Sequence, residues 1–268
     1  MALSAREQHL RTLHAVARTR VRAPVFSHSS AAVIHGLPLV RDDSSLVHVL
    51  AAEGRSGRTR NGVVEHERPW RDHVVRAGAL LATSVARTVV DLASSPNALG
   101  AIVAADAALQ VGRCGSTAAL TTTEELFAVW EELLPFRGHL RAKRVLDFAD
   151  GGAESPLESA SRVAIDQAGF VRPTLQWALS DADGFVGGVD FAWPDLGIVG
   201  EADGESKYLD ASLRRGRSPE RVVVDEKYRE GRIRALGYRV VRWGWGEATN
   251  SALLRRRLAD AGLPTRSP

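Results

Sequence analysis

Apolar positions recur at helical spacing in some stretches of this 268-residue chain and alternate in others. Residues 8–20 bring Leu10, Leu13 and Val16 to one face, which predicts a helix. "SHSSAAVIHGLPL" (Ser27 to Leu39) opens on cap-type residues and predicts a short helix stopped by Gly36 and Pro38. "SLVHVLAA" (Ser45 to Ala52) predicts a strand, "GRSGRTRNG" (Gly54 to Gly62) a basic Gly-rich loop, and "VVEHE" a further strand. Thr83 to Ser95 predicts a helix with the stripe Val85, Val89, Leu92, and "ALGAIVAADAAL" predicts a buried one. Thr122 and Glu125 form a capping box for a helix within Thr121 to Leu134, and Gly138 to Gly152 reads as another ending in glycines.

The composition shifts at Gly151-Gly152, which suggests an N-terminal α/β lobe (1–150) and a second domain (151–268). The second part has a clear order: helix 156–168, strands 173–179, 185–193 and 197–203, helix 219–236, strand 238–243. Ser155, Pro156, Glu158 and Gly169 supply the boundary signals of the first helix. Ser218, Pro219 and Gly237 do so for the second.

The middle of that domain poses a problem. "VDFAWPDLGIVGEADG" (Val189 to Gly204) reads as a hairpin turning at "PDLG", which sets Asp190 opposite Glu201. Asp203 then shares the face of Glu201, while Phe191 and Trp193 share the apolar face with Ile198, Gly200 and Ala202. Like charges directly opposed, with Cβ atoms roughly 5 Å apart, repel. A divalent cation on oxygen ligands, a raised pKa on one acid, or a lysine or arginine in a structural ion pair would each offset this. A different register would remove it.

Composition narrows the chemistry. The chain is 44% hydrophobic and 25% charged, an ordinary globular balance, with a formal net charge of +3. Its pI of about 9.4 points weakly to an anionic partner. No apolar run reaches the ~20 residues of a membrane span, so no membrane partner is expected. The start lacks the apolar centre of a secretory signal, and a single cysteine, Cys114, suits a reducing cytoplasm. Only Lys143, Lys207 and Lys227 are lysines, and two of these follow Glu201 closely. All eight histidines precede residue 140, which excludes a Ser-His-Asp triad or a histidine-bound metal in the C-terminal part. Chemistry there has to rest on carboxylates, lysine or arginine.

Residues 151–247 resemble the PD-(D/E)XK nuclease fold, and more closely its very-short-patch-repair-like branch, which includes the DUF559 proteins. The likeness lies in Asp190, then Glu201-Ala202-Asp203-Gly204, Lys207, Glu226 with Arg229, and Gly237 before "YRVVRW". It implies an α/β fold with a restriction-endonuclease-like mixed sheet flanked by helices. It also implies a metal-dependent DNA endonuclease or nickase using Mg²⁺ or Mn²⁺. Asp190, Glu201 and the carbonyl of Ala202 would then hold the metal. Glu158 would face the site, Asp203 would be a ligand or supporting acid, and Lys207 or Lys227 would act on the phosphate or water. The family's lysine stands two residues after the glutamate, where this chain has Asp203.

Arg214, Arg215, Arg217 and Arg221, with Arg229, are candidate phosphate contacts. Plainer roles stand beside these. Glu158 suits a capping box, Asp203 a solvated strand end, and Glu226 with Arg229 a pair along one helix. Trp243 and Trp245 suit packing, His28-Ser29-Ser30 helix capping, and Asp91 and Asp106 pairs with arginines. "SHSSAAVIHGLPL", "TSVARTVVDLA" and "AADAAL" resemble actinobacterial proteins with an AbiEi-type antitoxin region. That likeness implies recognition or regulation by the N-terminal lobe and a toxin-antitoxin or defence-system protein as partner, although few residues precede it for a DNA-binding winged helix. The competing function is a non-catalytic nuclease-fold protein that binds DNA or regulates; an arginine blocking the acid cluster would favour it. An interaction protein without a nucleic-acid partner is a third reading. The sequence sets no oligomeric state.

Overall fold

The structure, a computed structural model, describes residues 3–41, 45–51, 56–68, 73–112, 116–203 and 219–266. The protein is α/β and divides into two compact units, Met1–Gly151 and Gly152–Pro268. No described helix is long and apolar enough to cross a membrane.

The first unit runs α1 (Ala5–Thr19), β1 (Val25–Phe26), α2 (His28–His35), β2 (Val47–Leu50), β3 (Arg58–Arg60), β4 (Val63–His66), β5 (Val74–Ala77) and β6 (Leu80–Thr83). Then follow α3 (Val85–Ala93), α4 (Ala98–Leu109), α5 (Thr123–Glu132) and α6 (His139–Phe148). Its strands form one mixed sheet in the order β3-β4-β2-β1-β6-β5. Leu13 of α1, Ala31 of α2 and the strand residues Phe26, Val47, Val49, Leu80 and Ala82 make a continuous core.

Two readings of this half need correction. The supposed loop at 54–62 contains β3, joined to β4 by Asn61-Gly62, whose φ values of 51° and 73° are both positive. Two central residues at positive φ are what a type I′ hairpin turn requires, and Asn-Gly supplies them at least strain. The second correction concerns Ser27. It stands at the N-cap of α2 yet makes no side-chain cap bond. Its Oγ lies 3.1 Å from His28 Nδ1, and His28 takes a φ of 48°. Ser30 Oγ accepts the His48 N–H at 2.9 Å and lies 3.2 Å from His9 Nε2. The Ser30 hydroxyl ties β2 to α2, and neither hydroxyl caps the helix.

The result is a polar centre inside the unit. His28 stacks on His66 with ring centroids 3.7 Å apart, and His48 Nδ1 lies 2.8 Å from His66 Nε2. Burial, reinforced by His48 and two arginines, holds His28 well below the usual histidine range. Burial first, then His28 and His48, depress His66 to about 3. Asp91 is buried beside Arg87 (3.1 Å) and Arg68 (3.8 Å), as its sequence context suggests. Burial pushes its carboxyl upward against the pull of both guanidinium groups.

The second unit comprises α7 (Pro156–Gln167), β7 (Thr174–Asp181), β8 (Gly184–Trp193), β9 (Ile198–Ala202), α8 (Pro219–Ala235), β10 (Arg239–Trp243), α9 (Trp245–Ala248) and α10 (Ser251–Asp260). The sheet order is β10-β9-β8-β7, with β10 parallel to β9 and the other pairs antiparallel. The "PDLG" turn is one 3₁₀ turn, Pro194–Leu196, closed by Gly197 at φ 60°. Ile233 of α8 packs against Ala192 and Val199. Trp243 donates its indole N–H to Ser161 Oγ of α7 at 2.7 Å and packs against Phe191. Helices therefore flank the mixed sheet. The last two helices were not evident from the sequence.

The neutral histidines make stability depend on pH. The unfolded chain protonates histidine near 6.5, whereas folded His66 does so at about 3. Between these values the unfolded state binds the extra proton. Stability is therefore complete above pH 6.5 and falls as pH drops, at ~1.4 kcal/mol per pH unit for each such histidine. Denaturant titrations between about pH 6.5 and pH 5 should give a shallower slope for His66→Gln than for the wild type. Identical slopes would refute the assignment.

Candidate functional site

The ladder between β8 and β9 pairs Trp193 with Ile198, Ala192 with Val199 and Phe191 with Gly200. One step further, the same register sets Asp190 across from Glu201, as the turn predicts. The backbone ladder stops before that step. Instead, Asp190 Oδ2 accepts the N–H of Ala202 at 2.8 Å. Ala202 thus meets Asp190 through its N–H.

Glu201 is buried, with 8% of its surface exposed, so its charge needs close partners. It has two. Arg229 of α8 donates Nη2–H to Glu201 Oε1, and Arg242 of β10 donates Nε–H to Oε2 at 2.9 Å. Arg242 is the register partner of Glu201 in the parallel β9–β10 pair, so sheet topology delivers it. Arg229 also donates to both oxygens of Glu226, at 3.0 and 2.8 Å, and to the Gly188 carbonyl at 3.2 Å. Arg242 bonds Glu226 and lies 3.2 Å from Glu230. A structural ion pair, one of the three ways to relieve the acids, is present at Glu201.

Electrostatics follow the geometry. Burial pushes the Glu226 carboxyl upward, but Arg229 and Arg242 outweigh it and hold the group below its usual range. The bond to Glu226 raises the Arg229 guanidinium above its ordinary value, against the cost of burial. For Arg242 burial opposes the charge, and Glu201, Glu226 and Glu230 together overcome it. Two glycines admit the arrangement. A Cβ at Gly187 would stand 3.2 Å from Arg229 Cδ, and one at Gly200 only 2.3 Å from Trp243 Cη2.

The other candidates lie on α7, on α8 and just past β9. Asp203 is half-buried at the end of β9, and its N–H donates to the Trp243 carbonyl at 2.8 Å. Glu158 accepts from Ser155 Oγ (2.7 Å), the Glu154 N–H (2.8 Å) and Gln176 Nε2 (2.9 Å). Lys227 is exposed on α8. Arg221 is exposed and pairs with Asp225 at 3.2 Å. Arg229, a candidate phosphate contact, is turned inward instead, because the carboxylates of Glu201 and Glu226 draw it under α8. Lys207, Arg214, Arg215 and Arg217 lie outside the described residues.

Among the described residues, no three histidine, cysteine, aspartate or glutamate side chains converge to hold a metal. Both Glu201 oxygens carry guanidinium donors and one Asp190 oxygen carries a backbone N–H. As arranged, this donor set does not fit Mg²⁺ or Mn²⁺. Sequence reasoning missed Arg242, Glu230 and Gln176. Arg242 carried a usable signal, a charge between the buried residues Val241 and Trp243.

Two uncharacterized proteins, from two strains of Mycobacterium tuberculosis, are each 29% identical to the chain over 212 residues. The match covers 79% of this chain and 71% of each relative. No family model matches the chain, and no solved structure matches it significantly.

Two substitutions test the site's construction. Arg229→Met strips a guanidinium from two carboxylates and should cost about 3 kcal/mol in urea denaturation, near the lower end for a broken buried pair because Arg229 keeps some exposure. Gly200→Ala should cost about 1–3 kcal/mol through overpacking against Trp243. A loss below about 0.5 kcal/mol for either, the range of ordinary surface changes, would contradict the packing described.

Proposed function

We propose that this protein is a non-catalytic nuclease-fold protein that binds DNA and acts as a regulator in the cytoplasm. The observation that carries this reading is the double arginine pairing of Glu201. The element order α7-β7-β8-β9-α8-β10, the one expected of this region from its sequence, supports the reading. In that resemblance Glu201 would be a metal ligand, and here its charge is neutralised by the protein's own cations. An antitoxin-like role beside a toxin or defence protein belongs to the same proposal.

A second reading, a metal-dependent DNA endonuclease or nickase, is favoured by one observation: Asp190 and Glu201 lie on adjacent antiparallel strands, one step beyond the last paired residues. It requires Arg229 and Arg242 to release Glu201.

Thermal melts with chelator and with Mg²⁺ or Mn²⁺ separate the two, because a ligand stabilises only by binding the native state. The proposal expects no metal-linked rise in Tm for the wild type and no cleavage of supercoiled DNA. Glu201→Gln should lose about 3 kcal/mol without metal, since it leaves two guanidinium groups short of a counter-charge. A metal-linked rise in Tm together with metal-dependent nicking would establish the nuclease reading instead.

A further inference from the structure

The basic hairpin of the first unit takes no part in the site above. β3 is the outer strand of the six-stranded sheet, and Arg58, Thr59 and Arg60 are all exposed. Residues two apart on a strand share a face, so Arg58 and Arg60 point the same way, roughly 6.8 Å apart along the strand. Arg20, just past the end of α1, joins them across a concavity of about 330 Å³ that Thr19, Asn61 and Glu65 also line. Glu65 is the carboxylate of this group. It is bonded to Arg20 at 2.9 Å and Arg58 at 2.8 Å, and the Arg20 bond first, then Arg58, hold it below the usual carboxylate range. Among the described residues no carboxylate pairs with Arg60. Among the described residues three guanidinium groups thus face one carboxylate, a surplus of two positive charges in a recess open to solvent.

We infer that this recess is a contact for the phosphate backbone of double-stranded DNA, with Arg60 as the cation that no described carboxylate engages and Arg58 and Arg20 as partly engaged ones. Guanidinium is the side chain whose planar fork matches phosphate oxygens, and a two-stranded ribbon is an element a DNA groove admits. Among the described residues the recess has no aromatic lining, the anchor a protein partner's hot spot would use. Edge protection alone explains one charge on β3. It does not explain why Arg20 converges on the same recess from α1. The inference rests on DNA being the partner, as proposed above, and assigns part of that contact to the first unit.

Fluorescence anisotropy with a labelled random-sequence duplex and the full chain tests this between about 50 and 200 mM salt. Arg60→Glu should weaken binding about tenfold at the lower salt. Arg60→Ala should reduce the slope of log affinity against log salt by about 0.9, the value of one phosphate contact. Arg60→Lys should keep most of the affinity, and circular dichroism melts of all three should match the wild type. Arg60→Glu binding within about twofold of the wild type would overturn the inference. So would equal competition by polyglutamate, which marks an acidic protein partner, or preferential binding to anionic vesicles. A variant with Arg214, Arg215, Arg217 and Arg221 all changed to alanine separates this inference from the function proposed for the second unit. If that variant loses binding and Arg60→Glu does not, the inference fails and the function stands. If Arg60→Glu loses binding and that variant does not, the inference stands and the second unit's DNA contact fails. No duplex binding at low salt ends both.

Discussion

A buried carboxylate must find positive charge or hydrogen-bond donors, and in the second unit that requirement organises everything around Glu201. Its side chain joins β9 to α8 through Arg229 and to β10 through Arg242. The same two arginines hold Glu226, so helix and sheet are cross-linked at the point where the β8–β9 ladder ends. Removing any one member leaves the others short of a partner in a region of low dielectric, where each polar group counts for more than at the surface. The glycines at 187 and 200 fit the same constraint: one lets Arg229 lie close to β8, the other receives the Trp243 ring on the sheet.

This arrangement bears directly on function. A carboxylate pair at a strand junction serves a metal only when its oxygens are available and further oxygen donors surround the ion. Here the guanidinium groups already supply the compensating charge, and Asp190 is engaged by a backbone N–H. The charges that the nuclease likeness would assign to a metal here hold α8 on the sheet. Fold alone does not establish an activity; the state of the site does.

Much of the second unit was legible because its signals are local. Ser155, Pro156 and Gly169 mark α7, and alternation about "PDLG" gives the register at Asp190 and Glu201. The partners of Glu201 were not, because Arg242 lies 41 residues away and reaches it only through the parallel β9–β10 register. In the first unit β1 has two residues and β3 three, too few for alternation to emerge. The Asn61-Gly62 hairpin signal was present, but arginines on an exposed edge strand carry no apolar alternation and read as loop. Ser27 occupied the position of a cap, yet the neighbouring His28 ring took its hydroxyl.

Charge is distributed unevenly between the two units, and this bears on where DNA would touch. Residues 152–268 contain 17 Lys and Arg against 17 Asp and Glu, whereas residues 1–151 contain 18 against 15. Within the second unit Arg229, Arg232 and Arg242 are bound to carboxylates. A guanidinium already paired can reach phosphate only by giving up its partner, which removes much of the gain from releasing counterions. Arg60, exposed on an edge strand, loses no such bond among the described residues. On the proposal that DNA is the partner, Arg60 would therefore meet phosphate without giving up a carboxylate among the described residues, even though the nuclease likeness belongs to the second unit.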